Sequence, residues 1–193
     1  MQENNFWVWK CDLITQDKYN YQQAIFEDFP HRYDIFMNIG RPVNTEIPML
    51  CFNCPKELIN DSIYSNMGWV LLSNRVAGLI KSIEDVIAEF YPATIIEKES
   101  GNIYSGFLVV NFITYLSCIN FDKSDVTSHP LDHNFISSIQ KIVLKPEKIG
   151  NIKIFRLSES PTILVAHESI KIKIEEIGVK GISWVCVENY KSA

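Results

Sequence analysis

The stretch IKIFRLSESPTILVAHESIKIKIEEIGVKGISWVCV, Ile152 to Val187, decides the fold class. Lys153 to Leu157 alternates polar and apolar residues, as a half-buried strand does, and Ser158 to Pro161 supplies turn chemistry. Ile163 to Ala166 is a second short apolar run. Ile170, Ile174 and Ile177 then fall three and four apart, on one face of a helix. Gly178 suits a left-handed helix cap, and Gly181 precedes the apolar run Ile182 to Val187. Strand, turn, strand, helix, glycine stop and strand make a compact unit with no visible catalytic group.

Outward from that unit, regularity is clearest between Trp69 and Phe90. Trp69 to Leu72 reads as a strand and Ser73 as an N-cap. Val76, Leu79, Ile80, Ile83, Val86, Ile87 and Phe90 then form one apolar stripe, so a helix is expected from Ser73 to Phe90, with Pro92 just past its end. Strands are expected over Ala93–Glu97, Ile103–Asn111, Phe112–Phe121 and Ile136–Leu144. Glu99 to Asn102 would turn a hairpin, and Asp122 to Asn134 is a polar loop. Four positions repeat at a constant offset of 94: Ser73, Val76, Ile80 and Ile83 match His167, Ile170, Ile174 and Ile177. Two such units, each a strand followed by a helix, are expected to pack on one sheet.

Toward the N-terminus, Phe6 to Ile14 carries aromatics on both sides, which suits a strand covered on two faces. Asp17 to Asn66 is punctuated by proline, asparagine and aspartate, yet keeps too many large apolar residues for a solvated linker. The expectation is therefore α+β in one domain, residues 1–193: a mixed, mostly antiparallel sheet packed by two main helices, Ser73–Phe90 and His167–Ile177. Residues 1–64 form a less regular N-terminal part and 65–193 a strand–helix core.

The 193 residues suffice for a substantial core, and 47% hydrophobic with 21% charged residues is ordinary for a globular chain. A net charge of −5 argues against a nucleic-acid partner, which calls for a basic face. The N-terminus lacks the basic and apolar regions of a signal peptide, and no apolar run is long enough to span a bilayer. Five cysteines without a framework spacing fit reduced thiols and a cytoplasmic protein.

Candidate chemistry is sparse. Cys51 and Cys54 (C-F-N-C) with His129 and His133 (H-P-L-D-H) are the ligand types of a structural zinc, but about 75 positions separate the two halves. A zinc-binding or thiol-dependent enzyme built on these four residues is the alternative reading. Cys11, Cys118 and Cys186 lie in apolar runs, as small buried hydrophobes do. His167 begins a helix, where a capping role is ordinary. No phosphate loop, HExxH or GxSxG occurs. Acidic residues gather as Glu97 and Glu99, as Asp122, Asp125 and Asp132, and as Glu175 and Glu176; they form a solvated surface or contacts for a cationic partner.

Several of these stretches, taken in order, resemble one family. Leu72-Ser73-Asn74-Arg75-Val76, Tyr91-Pro92, Tyr104 with Val110-Asn111 and Cys118, Ile154-Phe155-Arg156-Leu157, and Gly178 with Gly181 look like the eleventh-numbered family of bacterial immunity proteins from polymorphic toxin systems. The similarity covers about residues 65 to 188. The chain departs from the pattern at two helix starts, with Asn74 in place of an acidic residue and Ala166-His167-Glu168 at the second. The resemblance implies a non-catalytic protein without cofactor. It would bind and neutralise a cognate toxin domain, a basic one given the acidic clusters, by stoichiometric complex formation, with oligomeric state left open. No site residue carries over from it.

Overall fold

A computed structural model of the chain describes residues 5–11, 14–17, 20–22, 24–26, 39–43, 47, 49–132 and 134–192. In order they form β1 (Phe6–Cys11), β2 (Ile14–Asp17), β3 (Asn20–Gln22), β4 (Leu50–Cys54), β5 (Ser62–Tyr64), β6 (Val70–Ser73) and α1 (Asn74–Lys81). There follow β7 (Ala88–Glu97), β8 (Ile103–Phe112), β9 (Tyr115–Leu116), β10 (Asp125–Ser128), β11 (Ile136–Lys141), β12 (Ile154–Leu157), β13 (Ser160–His167), α2 (Glu168–Glu176) and β14 (Ile182–Cys186).

The mixed α+β character holds, but there is not one sheet. Two five-stranded sheets form instead, with strand orders β14-β1-β13-β12-β9 and β4-β7-β8-β6-β5, and β10-β11 and β2-β3 make separate ribbons. Each large sheet has one parallel pair, β12 with β9 and β4 with β7; the other pairings are antiparallel.

Alternation along the strands sorts the apolar residues into three cores. Val8, Phe155, Leu157, Ile163 and Val165 cover one face of the first sheet together with Ile139, Ile142 and Leu144. The opposite face brings Trp9, Ile154, Leu164 and Ala166 into a central core. There they meet Leu72, Val110 and Phe112 of the second sheet and the buried stripes of both helices. Leu50, Phe52, Leu71, Ile95 and Val109 line the far face of the second sheet. β1 is thus covered on both faces, as its two-sided aromatics require.

The opening unit forms as expected: β12, β13, α2 and β14 follow one another, and Gly178 takes the left-handed cap with φ of +64°. His167 caps α2, its Nδ1 accepting the Ser169 backbone N–H at 3.1 Å. The repeat also holds in part. Val76 and Ile80 of α1 and Ile170 and Ile174 of α2 are buried in the same central core. Their preceding strands, however, belong to different sheets, β6 to the second and β13 to the first.

The helix expected to Phe90 is corrected. α1 stops at Lys81, where Ser82 turns its hydroxyl onto the Leu79 carbonyl at 2.7 Å, and the chain re-enters as β7 from Ala88. Side-chain hydrogen bonding of this kind competes with helix continuation. Ala88 and Phe90 then alternate with Glu89 and Tyr91, and β8 supplies partners from Ala88 onward. Pro92 lies inside this strand, one residue before the segment Ala93–Glu97 that β4 pairs.

Three further expectations change. The strand expected over Phe112–Phe121 breaks, because the chain leaves the second sheet at Phe112 and joins the first only at Tyr115–Leu116. The loop from Asp122 to Asn134 contains β10, whose ladder with β11 ends at Lys141, short of Leu144. The described part of residues 1–64, expected to be less regular, supplies β1, β4 and β5 to the two large sheets. β4 buries Leu50, Phe52 and Cys54 and turns Cys51 outward.

Candidate functional site

The proposed metal ligands do not converge. Cys51 and Cys54 sit three apart on a strand, which places their side chains on opposite faces. Cys51 is exposed, while Cys54 lies in the third core with its thiol pushed up to about 12 by burial. His129 stands in the β10–β11 connection, where its Nδ1 accepts the Leu131 backbone N–H at 3.3 Å; His133 lies outside the described residues. Among the described residues no three histidine, cysteine or acidic side chains gather in a metal-holding arrangement.

The other nucleophile candidates are packed away. Cys118 is buried in the first core and its thiol is also raised to about 12 by burial. An inert thiol of this kind behaves as a small hydrophobe. The His167 imidazole is held below its ordinary range by burial, and next by Lys153, so its neutral form serves as the helix cap.

The seven acidic residues separate onto three elements. Glu97 is buried and accepts the Tyr104 hydroxyl at 2.8 Å, which holds its carboxyl below the usual range. Glu99, on the β7–β8 turn, is exposed. Glu175 and Glu176 are exposed on α2, and Glu175 pairs with Lys171 at 2.8 Å. Asp122, Asp125 and Asp132 are exposed at the two ends of the β10–β11 ribbon.

That ribbon carries a surface the acid pattern alone did not disclose. His129 donates its backbone N–H to the Phe135 carbonyl at 2.7 Å, and Phe135 donates to Asp132 at 3.0 Å, closing a small loop. The loop holds Leu131 at 90% exposure, with Phe135 at 42% beside it and Phe121 at 47% at the ribbon's other end. A groove of about 720 Å³ opens beneath, lined by Arg41, Tyr115, His129, Asp132, Phe135 and Pro161 among others. Apolar anchors rimmed by charge are the usual anatomy of a protein interface. The sequence signal was available: Leu131 is a large apolar residue inside the stretch Asp122 to Asn134 read as a polar loop, and Phe121 and Phe135 flank it.

Sequence reading also missed the interlock around Asp61. Its carboxylate accepts from Ser73 Oγ at 2.8 Å, Arg75 Nε at 2.6 Å, Arg75 Nη2 and the Lys180 backbone N–H at 3.1 Å. Arg75 belongs to one of the stretches that carry the family resemblance, and its role is to bind elements together.

Compared with known protein families, residues 7–189 match the model described as Immunity protein family (Imm11). The match takes in the N-terminal third as well as the motif-bearing remainder. No curated protein matches the chain by sequence.

Proposed function

Since the chain belongs to the Imm11 immunity protein family, we propose that it neutralises a cognate polymorphic toxin by occupying its surface in a stoichiometric complex, without performing catalysis itself. The family match across residues 7–189 carries this reading. The opposed side chains of Cys51 and Cys54 speak against the zinc or thiol-enzyme alternative.

The β10–β11 ribbon is the docking surface we favour. Leu131, Phe135 and Phe121 would be the apolar anchors, and Asp122, Asp125 and Asp132 the acidic rim. Glu99, Glu175 and Glu176 extend the negative field, whereas Glu97 is enclosed by Tyr104 and Asn102. A net charge of −5 suits a basic toxin domain, and such complementarity speeds encounter more than it tightens the final complex. An inhibitor of a lethal enzyme must leave almost no toxin free. Nuclease–immunity pairs reach dissociation constants on the order of 10⁻¹³ to 10⁻¹⁶ M for this task.

In this reading the protein works as one domain in the cytoplasm of a bacterial producer, with neither nucleic acid nor membrane as partner. No helix among the described residues is long and apolar enough to cross a membrane. Co-expression with the adjacent toxin tests the proposal: rescued growth and copurification at one-to-one stoichiometry are expected. A toxin that stays lethal and does not copurify would overturn it.

A further inference from the structure

Residues 39–43 run from the far face of the second sheet toward β9 and β12 of the first. Val43 packs on the third core, Gly40 lies against Arg156 of β12, and Ile39 and Arg41 line the groove beneath the β10–β11 ribbon together with Tyr115 of β9. The segment itself is neither helix nor strand, and side chains of the second sheet hold it. Glu89 of β7 and Asn111 of β8 stand opposite each other in the ladder, so their side chains leave the sheet on one face. Glu89 Oε2 accepts the Val43 backbone N–H at 3.1 Å, the Tyr91 hydroxyl at 2.7 Å and the Asn111 amide at 3.0 Å. The same Asn111 nitrogen donates to the Arg41 carbonyl at 2.9 Å.

Asn111 is 1% exposed and its Oδ1 has no partner. A buried oxygen left unsatisfied is costly, so what the amide supplies here is its two hydrogens, one for Glu89 and one for the Arg41 carbonyl. Gly40 adopts φ of +67°, and Pro42 confines the residue before it to extended backbone. Arg41 is therefore an exposed side chain on a backbone pinned from both sides.

Its guanidinium has no anion. The ion pairs among the described residues, Arg75–Asp61 and Lys171–Glu175, leave it out. Asp132 lines the same groove, but its Oδ1 accepts the Asn134 backbone N–H and side-chain amide, each at 3.0 Å. Burial pushes the Tyr115 hydroxyl up while Arg156 and then Arg41 pull against it, so the Arg41 charge is felt at the groove wall. A partner covering this groove would strip water from a lone guanidinium, which is costly unless the partner brings an anion. The anion a polypeptide carries on its side chains is a carboxylate, and a planar guanidinium matches its two oxygens.

We propose that Arg41 is a specificity-determining contact for the toxin, pairing with an aspartate or glutamate whose apolar neighbour fills the groove, and that Asn111 and Glu89 are positioning residues that present it. The proposal rests on the toxin-binding reading, and it places one acidic residue on the contact face of an otherwise basic partner.

The test measures association and dissociation of the adjacent toxin, recovered from the copurified complex, on the immobilised full chain. Arg41→Ala should weaken binding at least about tenfold, through faster dissociation. Arg41→Glu should weaken it at least about tenfold beyond Arg41→Ala, because like charges then face each other. Asn111→Ala should weaken binding about three- to tenfold in the parent chain but less than about twofold on top of Arg41→Ala, since it acts through Arg41. A merely structural loss would be the same in both backgrounds. Glu89→Gln takes the place of Asn111→Ala in this cycle should that variant fail to fold. Leu131→Ala is the reference. If it weakens binding while both Arg41 variants stay within about twofold of the parent, the proposal is overturned and the ribbon reading stands. Arg41→Glu binding no more weakly than Arg41→Ala, or equal losses from Asn111→Ala with and without Arg41, would overturn it as well. A parent chain that does not bind the toxin ends the toxin-binding reading, and this proposal with it.

Discussion

Arg75 grips the Asp61 carboxylate with Nε and Nη2 and at the same time donates through Nη1 to the Ile177 carbonyl at 2.7 Å and through Nη2 to the Gly178 carbonyl at 3.1 Å. One side chain at the start of α1 thereby fastens the turn before β5 to the carbonyls just past the end of α2. A cation at a helix C-terminus also opposes the partial negative charge there. The residues joined are 14 and more than 100 positions apart.

Asp61→Ala should therefore destabilise the protein by about 1–3 kcal/mol, because it strips acceptors from Ser73, Arg75 and Lys180 together. Urea unfolding monitored by tryptophan fluorescence reads this directly. An unchanged midpoint would show that the interlock contributes nothing.

The same carboxylate sets an acid limit. Hydrogen bonding from Arg75 lowers the Asp61 pKa to about 2, from an ordinary 3.8. Its stabilising effect is complete above the unfolded value and is lost as pH falls from about 4 through about 2. The fall in Tm across that window should be shallower in Asp61→Asn than in the parent chain, measured by calorimetry at matched ionic strength.

Gly40 lies against Arg156 with φ of +67°, and a Cβ there would stand 2.3 Å from the Phe112 carbonyl oxygen. Gly40→Ala should thus cost about 1–3 kcal/mol through both clash and backbone strain. Gly78, whose Cβ would meet nothing within 4 Å, is the control. Gly78→Ala on the α1 surface should raise stability by about 0.5–1 kcal/mol.

Thiol reactivity should divide by environment. Cys51 is exposed and should react first with iodoacetamide at pH 8, while Cys54 and Cys118 should stay unmodified until the protein unfolds. Mass spectrometry of peptides from native and urea-treated protein checks the order.

On the β10–β11 ribbon, Leu131→Ala and Phe135→Ala should leave stability within about 0.5 kcal/mol and weaken toxin binding at least tenfold. Asp122→Asn, Asp125→Asn and Asp132→Asn together should slow association and flatten its salt dependence while changing dissociation little. Surface plasmon resonance separates the two effects.

How much could be read in advance follows from what kind of information each element needs. The run from β12 to β14 was legible because its period, turn residues and glycine cap agree. At Ala88 and Phe90 a helical stripe and a strand fit equally well, and partners on β8, more than 20 positions away in the ladder at Ala88, decided for the strand, with Val86 and Ile87 left in the connection before it. β4 was hidden because five residues flanked by proline give little periodicity, and its alternation has meaning only beside β7. The acids at Asp122, Asp125 and Asp132 could be seen as charges on the surface. The enclosure of Glu97 by Tyr104 could not, nor the burial of Arg156 against the Phe112 and Pro161 carbonyls, since both depend on where distant strands place their neighbours.

β1 lies between β13 and β14, and both neighbours are encoded more than 150 positions downstream. At ribosomal speeds of 5–20 residues per second, Phe6 to Cys11 waits roughly 8–30 s after synthesis before either neighbour exists. During that interval two tryptophans and a phenylalanine remain without the strands that cover them, open to chaperones or to one another. A cell making this chain acquires its first sheet all at once and late, so partly synthesised copies offer aggregation risk before they offer protection.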